Sequence, residues 1–136
     1  MYSIRHLNLI TSSFCDLKCS YCFLHKNKSF RNYDKFITKG WEDGSYIKNI
    51  KEVFTRLDSD PEKVTEISLW GGEPFIHLDY LIPNFKELMN YFPNVDSFIV
   101  PTNWVHTNID NLCKLFKIID NEIKPREEGK KLHFHL

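Results

Sequence analysis

Three of the four cysteines, Cys15, Cys19 and Cys22, stand within eight residues in the run "CDLKCSYC". The spacing is C-x3-C-x2-C, and three kinds of chemistry suit it. On a helix these positions share one face, where three cysteines would pack as small hydrophobes. The interleaved Asp16, Lys18 and Ser20 argue for a wetter setting. A structural zinc site is a sharper reading, because His25 follows Cys22 by three residues and would complete a Cys3His tetrahedron. That would make the chain a small zinc-stapled binding module without catalysis. Thiolates also hold iron-sulfur clusters, normally four to a cluster, so three on a four-iron cluster would leave one iron open to another ligand. A second motif, "GGEP", spans Gly71, Gly72, Glu73 and Pro74. Its glycines let a backbone approach a ligand closely and its carboxylate matches an ammonium, although a plain turn before a helix has the same look. Thr102 and Asn103 form a third polar pair, which helix capping would explain equally well.

Strand and helix periods alternate around these motifs. Ile4 to Ile10 reads as a strand running straight into the cysteines. Between Asp43 and Leu57, Tyr46, Ile47, Ile50, Val53, Phe54 and Leu57 recur at helical spacing behind Asp43 and Ser45 as caps. Val64, Ile67 and Leu69 form a second strand that ends at Trp70 and "GGEP". Ile82, Phe85, Leu88, Met89 and Phe92 resume a helix, with Pro83 expected in its first turn. A third strand, Ser97 to Val100, ends at Pro101. A third helix carries Ile109, Leu112, Cys113, Phe116 and Ile119 on one side, which places Cys113 in the core, and "KKLHFHL" closes as a fourth strand. Phe23 to Gly44 fits neither period. It reads as a solvated loop, although its Lys26, Lys28, Arg31, Lys35 and Lys39 would suit an anion. His6 and Asn8 are expected at an edge or in satisfied core positions. The class is α/β with parallel strands, and such folds place their chemistry at the carboxyl ends of the strands. The cysteines, "GGEP" and "PTN" all fall there.

Composition supports one ordinary core: 136 residues, 42% hydrophobic and 15% aromatic. Lysine plus arginine equal aspartate plus glutamate at 18 each, so no net field draws the chain to nucleic acid or to an anionic membrane. A signal-peptide pattern and an apolar run of ~20 residues are both missing from the sequence, so a cytoplasmic location is expected. In that reducing compartment the cysteines are thiols or metal ligands.

"CDLKCSYC" after the first strand, with "GGEP" after the second, resembles the radical S-adenosylmethionine (radical SAM) enzymes. The resemblance implies that Cys15, Cys19 and Cys22 hold a 4Fe-4S cluster whose open iron is chelated by S-adenosylmethionine. It places Tyr21 near the adenine. It assigns the methionyl amino group to Gly71, Gly72, Glu73 and Pro74, and sets Thr102 and Asn103 close to the cofactor. The chemistry implied is reductive cleavage of the sulfonium, giving a 5'-deoxyadenosyl radical that abstracts substrate hydrogen, with a flavodoxin- or ferredoxin-type electron donor. Likeness to peptide- and protein-modifying members suggests an oxidoreductase or maturase acting on a peptide. The family fold is a partial TIM-type barrel of about six β/α units. Residues 1–136 would then be a single truncated core domain, the first three units plus a fourth strand, whose open edge invites pairing or continues into a missing remainder.

Overall fold

The computed structural model describes residues 2–26, 33–103, 109–122 and 133–135. Four strands, β1 (His6–Ser12), β2 (Glu66–Gly71), β3 (Ser97–Ile99) and β4 (His133–His135), form one parallel sheet in the order β1-β2-β3-β4. Parallel neighbours need crossover connections, and the helices supply them. These are α1 (Phe23–Lys26), α2 (Asp34–Glu42) and α3 (Ser45–Arg56) after β1, α4 (Leu78–Tyr91) after β2, and α5 (Ile109–Glu122) after β3. The α/β expectation therefore holds with its parallel pairing.

Strand alternation decides which side chains meet the helices. Leu9, Ile67, Leu69 and Phe98 are buried and pack with Ile47, Phe54, Phe85, Leu88 and Phe92 into one core. Phe54 meets the ring edges of Phe92 and Tyr91 at centroid distances of 5.2 and 6.0 Å. On the opposite face Ile10 and Trp70, paired across β1 and β2, stay 43% and 50% exposed. His6 shares that face, with its ring nitrogens 2.8 Å from Ser68 Oγ and 3.1 Å from Glu66 Oε1; it is exposed on the edge strand β1, an edge rather than a core position. Asn8 is exposed.

Three expectations are corrected. The segment read as a solvated loop contains α2, whose Trp41 is buried, stacks on Tyr46 at 4.4 Å and donates Nε1–H to Ile10 O at 3.0 Å. Nine residues with few apolar members give too short a period to read, and the anchoring contacts lie on distant elements. Pro83 lies inside α4, past its first turn, because a 3-10 turn at Pro74–His77 leads directly into the helix. Its neighbour Asn84 is buried and donates from Nδ2 to Tyr80 O at 2.8 Å and to Trp41 O, tying α4 to α2. Cys113 is exposed, since the inward stripe of α5 runs through Leu112 and Leu115 and turns Cys113 aside. Lys130 to Leu132 and Leu136 of the fourth-strand motif lie outside the described residues. Among the described residues, no helix is long and apolar enough to cross a membrane.

Candidate functional site

The chain leaves β1 at Ser12 and enters the cysteine loop at once. A register shift between Ile10 and Ser12 turns the strand end so that Ser12 faces Gly71. Asp34, at the start of α2, then fixes the loop. One carboxylate oxygen accepts from Ser12 Oγ (2.8 Å), Ser13 N (2.8 Å) and Phe14 N (3.2 Å). Charge-assisted bonds of this kind are stronger than neutral ones, so Asp34 anchors the approach to Cys15. Sequence reasoning missed it. The signal was an acidic residue opening a short Ile37–Trp41 helical spacing.

The two glycines lock the second motif onto this loop. Gly72 N donates to Ser12 O (2.9 Å) and Glu73 N to Phe14 O (2.8 Å), continuing the β1–β2 ladder past the strands. A Cβ on Gly72 would stand 2.0 Å from Phe14 O and 3.0 Å from Cys15 Cβ. Gly71 has φ +142°, and a Cβ there would meet Ser12 O at 1.9 Å. The close approach that these glycines permit is thus to the backbone of the cysteine loop itself.

Glu73 joins the third strand end. Its side chain is 2% exposed, and Oε1 accepts from Phe75 N (3.1 Å) and from the Thr102 hydroxyl (2.5 Å). Oε2 accepts from Asn103 N (2.7 Å). The Asn103 side chain reaches back to the cysteine loop, donating from Nδ2 to Asp16 Oδ1 (3.0 Å) and towards Cys15 Sγ (3.8 Å). Glu73, Thr102, Asn103 and Cys15 therefore form one contiguous set, built from the ends of three neighbouring strands. Pro74 is buried behind Glu73 and opens the 3-10 turn that presents Phe75 N.

Cys15, Cys19 and Cys22 are all partly buried free thiols, and a turn closed by Cys22 N to Cys19 O (3.0 Å) brings the last two together. Cys15 lines a cavity of about 280 Å³ with Phe14, Asp16, Leu24 and Asp34. Burial pushes its thiol pKa up, and the charges of Asp16, Glu73 and Cys19 add to this against a hydrogen bond from the Leu17 backbone. Alkylation of Cys15 in the metal-free chain should therefore need higher pH than a free cysteine. Mass spectrometry across a pH series checks this, and a midpoint at or below that of free cysteine would contradict it. Tyr21 is 84% exposed at the loop's edge, where a hydrogen bond with Cys19 and that residue's charge raise its hydroxyl pKa. It is not gathered into the Glu73 set. The His25 side chain lies outside the described residues. Among the described residues, no group of three Cys, His, Asp or Glu side chains is arranged to hold one metal ion. Three free thiols on a single loop suit a cluster that spreads its thiolates over separate irons.

Fold and site together define an α/β protein that presents a three-thiol loop, clamped by a buried glutamate, at the carboxyl edge of a parallel sheet. Residues 6–128 match the family described as the 4Fe-4S single cluster domain, and the chain belongs to that family, a domain found in radical SAM proteins. Comparisons with curated proteins and with solved structures gave no match.

Proposed function

We propose that this chain belongs to a radical SAM enzyme core, in which Cys15, Cys19 and Cys22 supply the three thiolates of a 4Fe-4S cluster. The observation carrying this reading is the interlocking of the cysteine loop, "GGEP" and Thr102–Asn103 through Gly72, Glu73 and Asn103. A zinc staple would not require a buried carboxylate joined to the thiol loop. When bound, the cluster with S-adenosylmethionine supplies one-electron cleavage of the sulfonium and a 5'-deoxyadenosyl radical for hydrogen abstraction.

The protein's own residues bind and orient. Asp34 holds the loop backbone, so that its contacts leave the three sulfurs free of that carboxylate. A carboxylate offers about four acceptor positions, and three bonds to Glu73 leave one on Oε2, which would accept from the methionyl ammonium. Thr102 and Asn103 fix the carboxylate in that pose. Tyr21, exposed at the edge of the cysteine loop, would cover the adenine. The uncovered face with Ile10 and Trp70 is the inner wall of the partial TIM-type barrel, facing a peptide substrate. Electrons come from a flavodoxin- or ferredoxin-type donor in the cytoplasm.

The test is anaerobic reconstitution with iron and sulfide, followed by reduction with S-adenosylmethionine present. The expected result is a brown chromophore, an electron paramagnetic resonance (EPR) signal that shifts on adding S-adenosylmethionine, and 5'-deoxyadenosine. Stoichiometric zinc uptake with no chromophore would overturn the reading. Within it, Glu73→Gln should weaken S-adenosylmethionine binding by about ten- to a hundredfold, since a hydrogen bond to a charged group contributes ~1.5–3 kcal/mol. Titration of the reconstituted protein measures this. Unchanged affinity would confine Glu73 to holding the loops together.

A further inference from the structure

We infer that Asn103 sets the reduction potential of the cluster by donating an N–H···S hydrogen bond to Cys15. This rests on the reading of Cys15 as a cluster ligand. Two contacts fix where the Asn103 side chain stands. Its backbone N–H is bound to Glu73 Oε2 at 2.7 Å, and its Nδ2 donates to Asp16 Oδ1 at 3.0 Å. The same nitrogen stands 3.8 Å from Cys15 Sγ. A side-chain amide carries two N–H donors, so one nitrogen serves the sulfur and the carboxylate together.

The chemistry follows from charge. Reduction adds one electron to a cluster already made negative by its thiolates. Donors aimed at a ligand sulfur stabilise the more negative state and raise the potential, whereas nearby anions lower it. Asp16 Oδ1 lies 4.0 Å from Cys15 Sγ and acts in the lowering sense. Asn103 opposes it twice, by its own bond to the sulfur and by holding the carboxylate through the other N–H. Thr102 cannot replace it, because its hydroxyl is turned to Glu73 Oε1. Asn103 thus tunes the cluster as well as supporting Glu73.

The test is a mediator-equilibrated dithionite titration of the reconstituted chain, followed by EPR. At the wild-type midpoint potential, Asn103→Leu should lower the ratio of reduced to oxidised cluster about tenfold, equivalent to ~59 mV for a one-electron couple. Asp16→Asn should move the ratio the opposite way, and Asn103→Gln should recover part of the loss. Should the leucine variant fail to hold a cluster, pulsed EPR of reduced wild-type protein with ¹⁵N-labelled asparagine amides decides the matter. A nitrogen coupling to the cluster that is absent in Asn103→Gln labelled the same way supports the bond, and its absence in wild type overturns it. An unmoved midpoint in Asn103→Leu also overturns it while leaving the cluster reading intact. Failure of the wild-type chain to assemble a cluster overturns both.

Discussion

Changing Cys15, Cys19 or Cys22 singly to alanine will abolish cluster incorporation, whereas Cys113→Ala will leave the iron content at the wild-type level. The first three thiols share one loop and are all partly buried, Cys15 beside Asn103 and Cys19 and Cys22 joined by the turn from Cys22 N to Cys19 O. Each substitution leaves two thiolates there, too few to retain a cluster held by three. Cys113 is exposed on α5, beside the stripe of Leu112 and Leu115 that faces the core, so its removal disturbs neither packing nor the loop. Iron and sulfide analysis after anaerobic reconstitution measures the outcome, with circular dichroism to show that each variant folds. Equal iron loss from Cys113→Ala would bring that residue into the ligand set and remove the open iron that the proposed reading gives to S-adenosylmethionine.

What the sequence made legible follows from where its signals are local. β2 and β3 read clearly because buried parallel strands are short and apolar, and Ile67, Leu69 and Phe98 are fully buried. The cysteine loop and "GGEP" read clearly because their spacing is unusual and both follow strands. The connections between the motifs were not legible, since a hydrogen bond from Asn103 to Glu73 or from Phe14 to Asp34 joins residues far apart in the chain. Asp34 was hidden because α2 is anchored by Trp41 against β1 and Tyr46 of α3, contacts that leave no period of their own. Cys113 was misplaced by one helical step. The adjacent apolar pair Leu112 and Cys113 does not by itself show which of the two faces inward.

The glycines of "GGEP" give the other large effect. Gly72→Ala should destabilise the metal-free chain by ~2–6 kcal/mol, lowering its melting temperature by roughly ten degrees or more, and should also abolish cluster loading although every thiol is intact. The added Cβ would meet Phe14 O at 2.0 Å and Phe14 C at 2.4 Å. These are backbone atoms, which no rotamer change can move aside. The cysteine loop must instead lift off, breaking the bonds from Gly72 N to Ser12 O and from Glu73 N to Phe14 O. Overpacking costs ~1–3 kcal/mol and each lost bond ~0.5–1.5 kcal/mol. Once the loop shifts, Cys15 leaves its place beside Asn103. Gly71→Ala should be at least as harmful, because φ +142° disfavours any side chain and its Cβ would strike Ser12 O at 1.9 Å. Gly40→Ala on α2 is the control, since its Cβ would make an ordinary contact with Tyr46 Cβ at 3.4 Å. Thermal melts of the metal-free variants, alongside iron content after reconstitution, separate two roles for the motif. If the glycines served only to admit S-adenosylmethionine, Gly72→Ala would melt like wild type and load its cluster, losing affinity for the cofactor alone. That outcome would refute the loop-locking role, because the clash with Phe14 O exists before any ligand arrives.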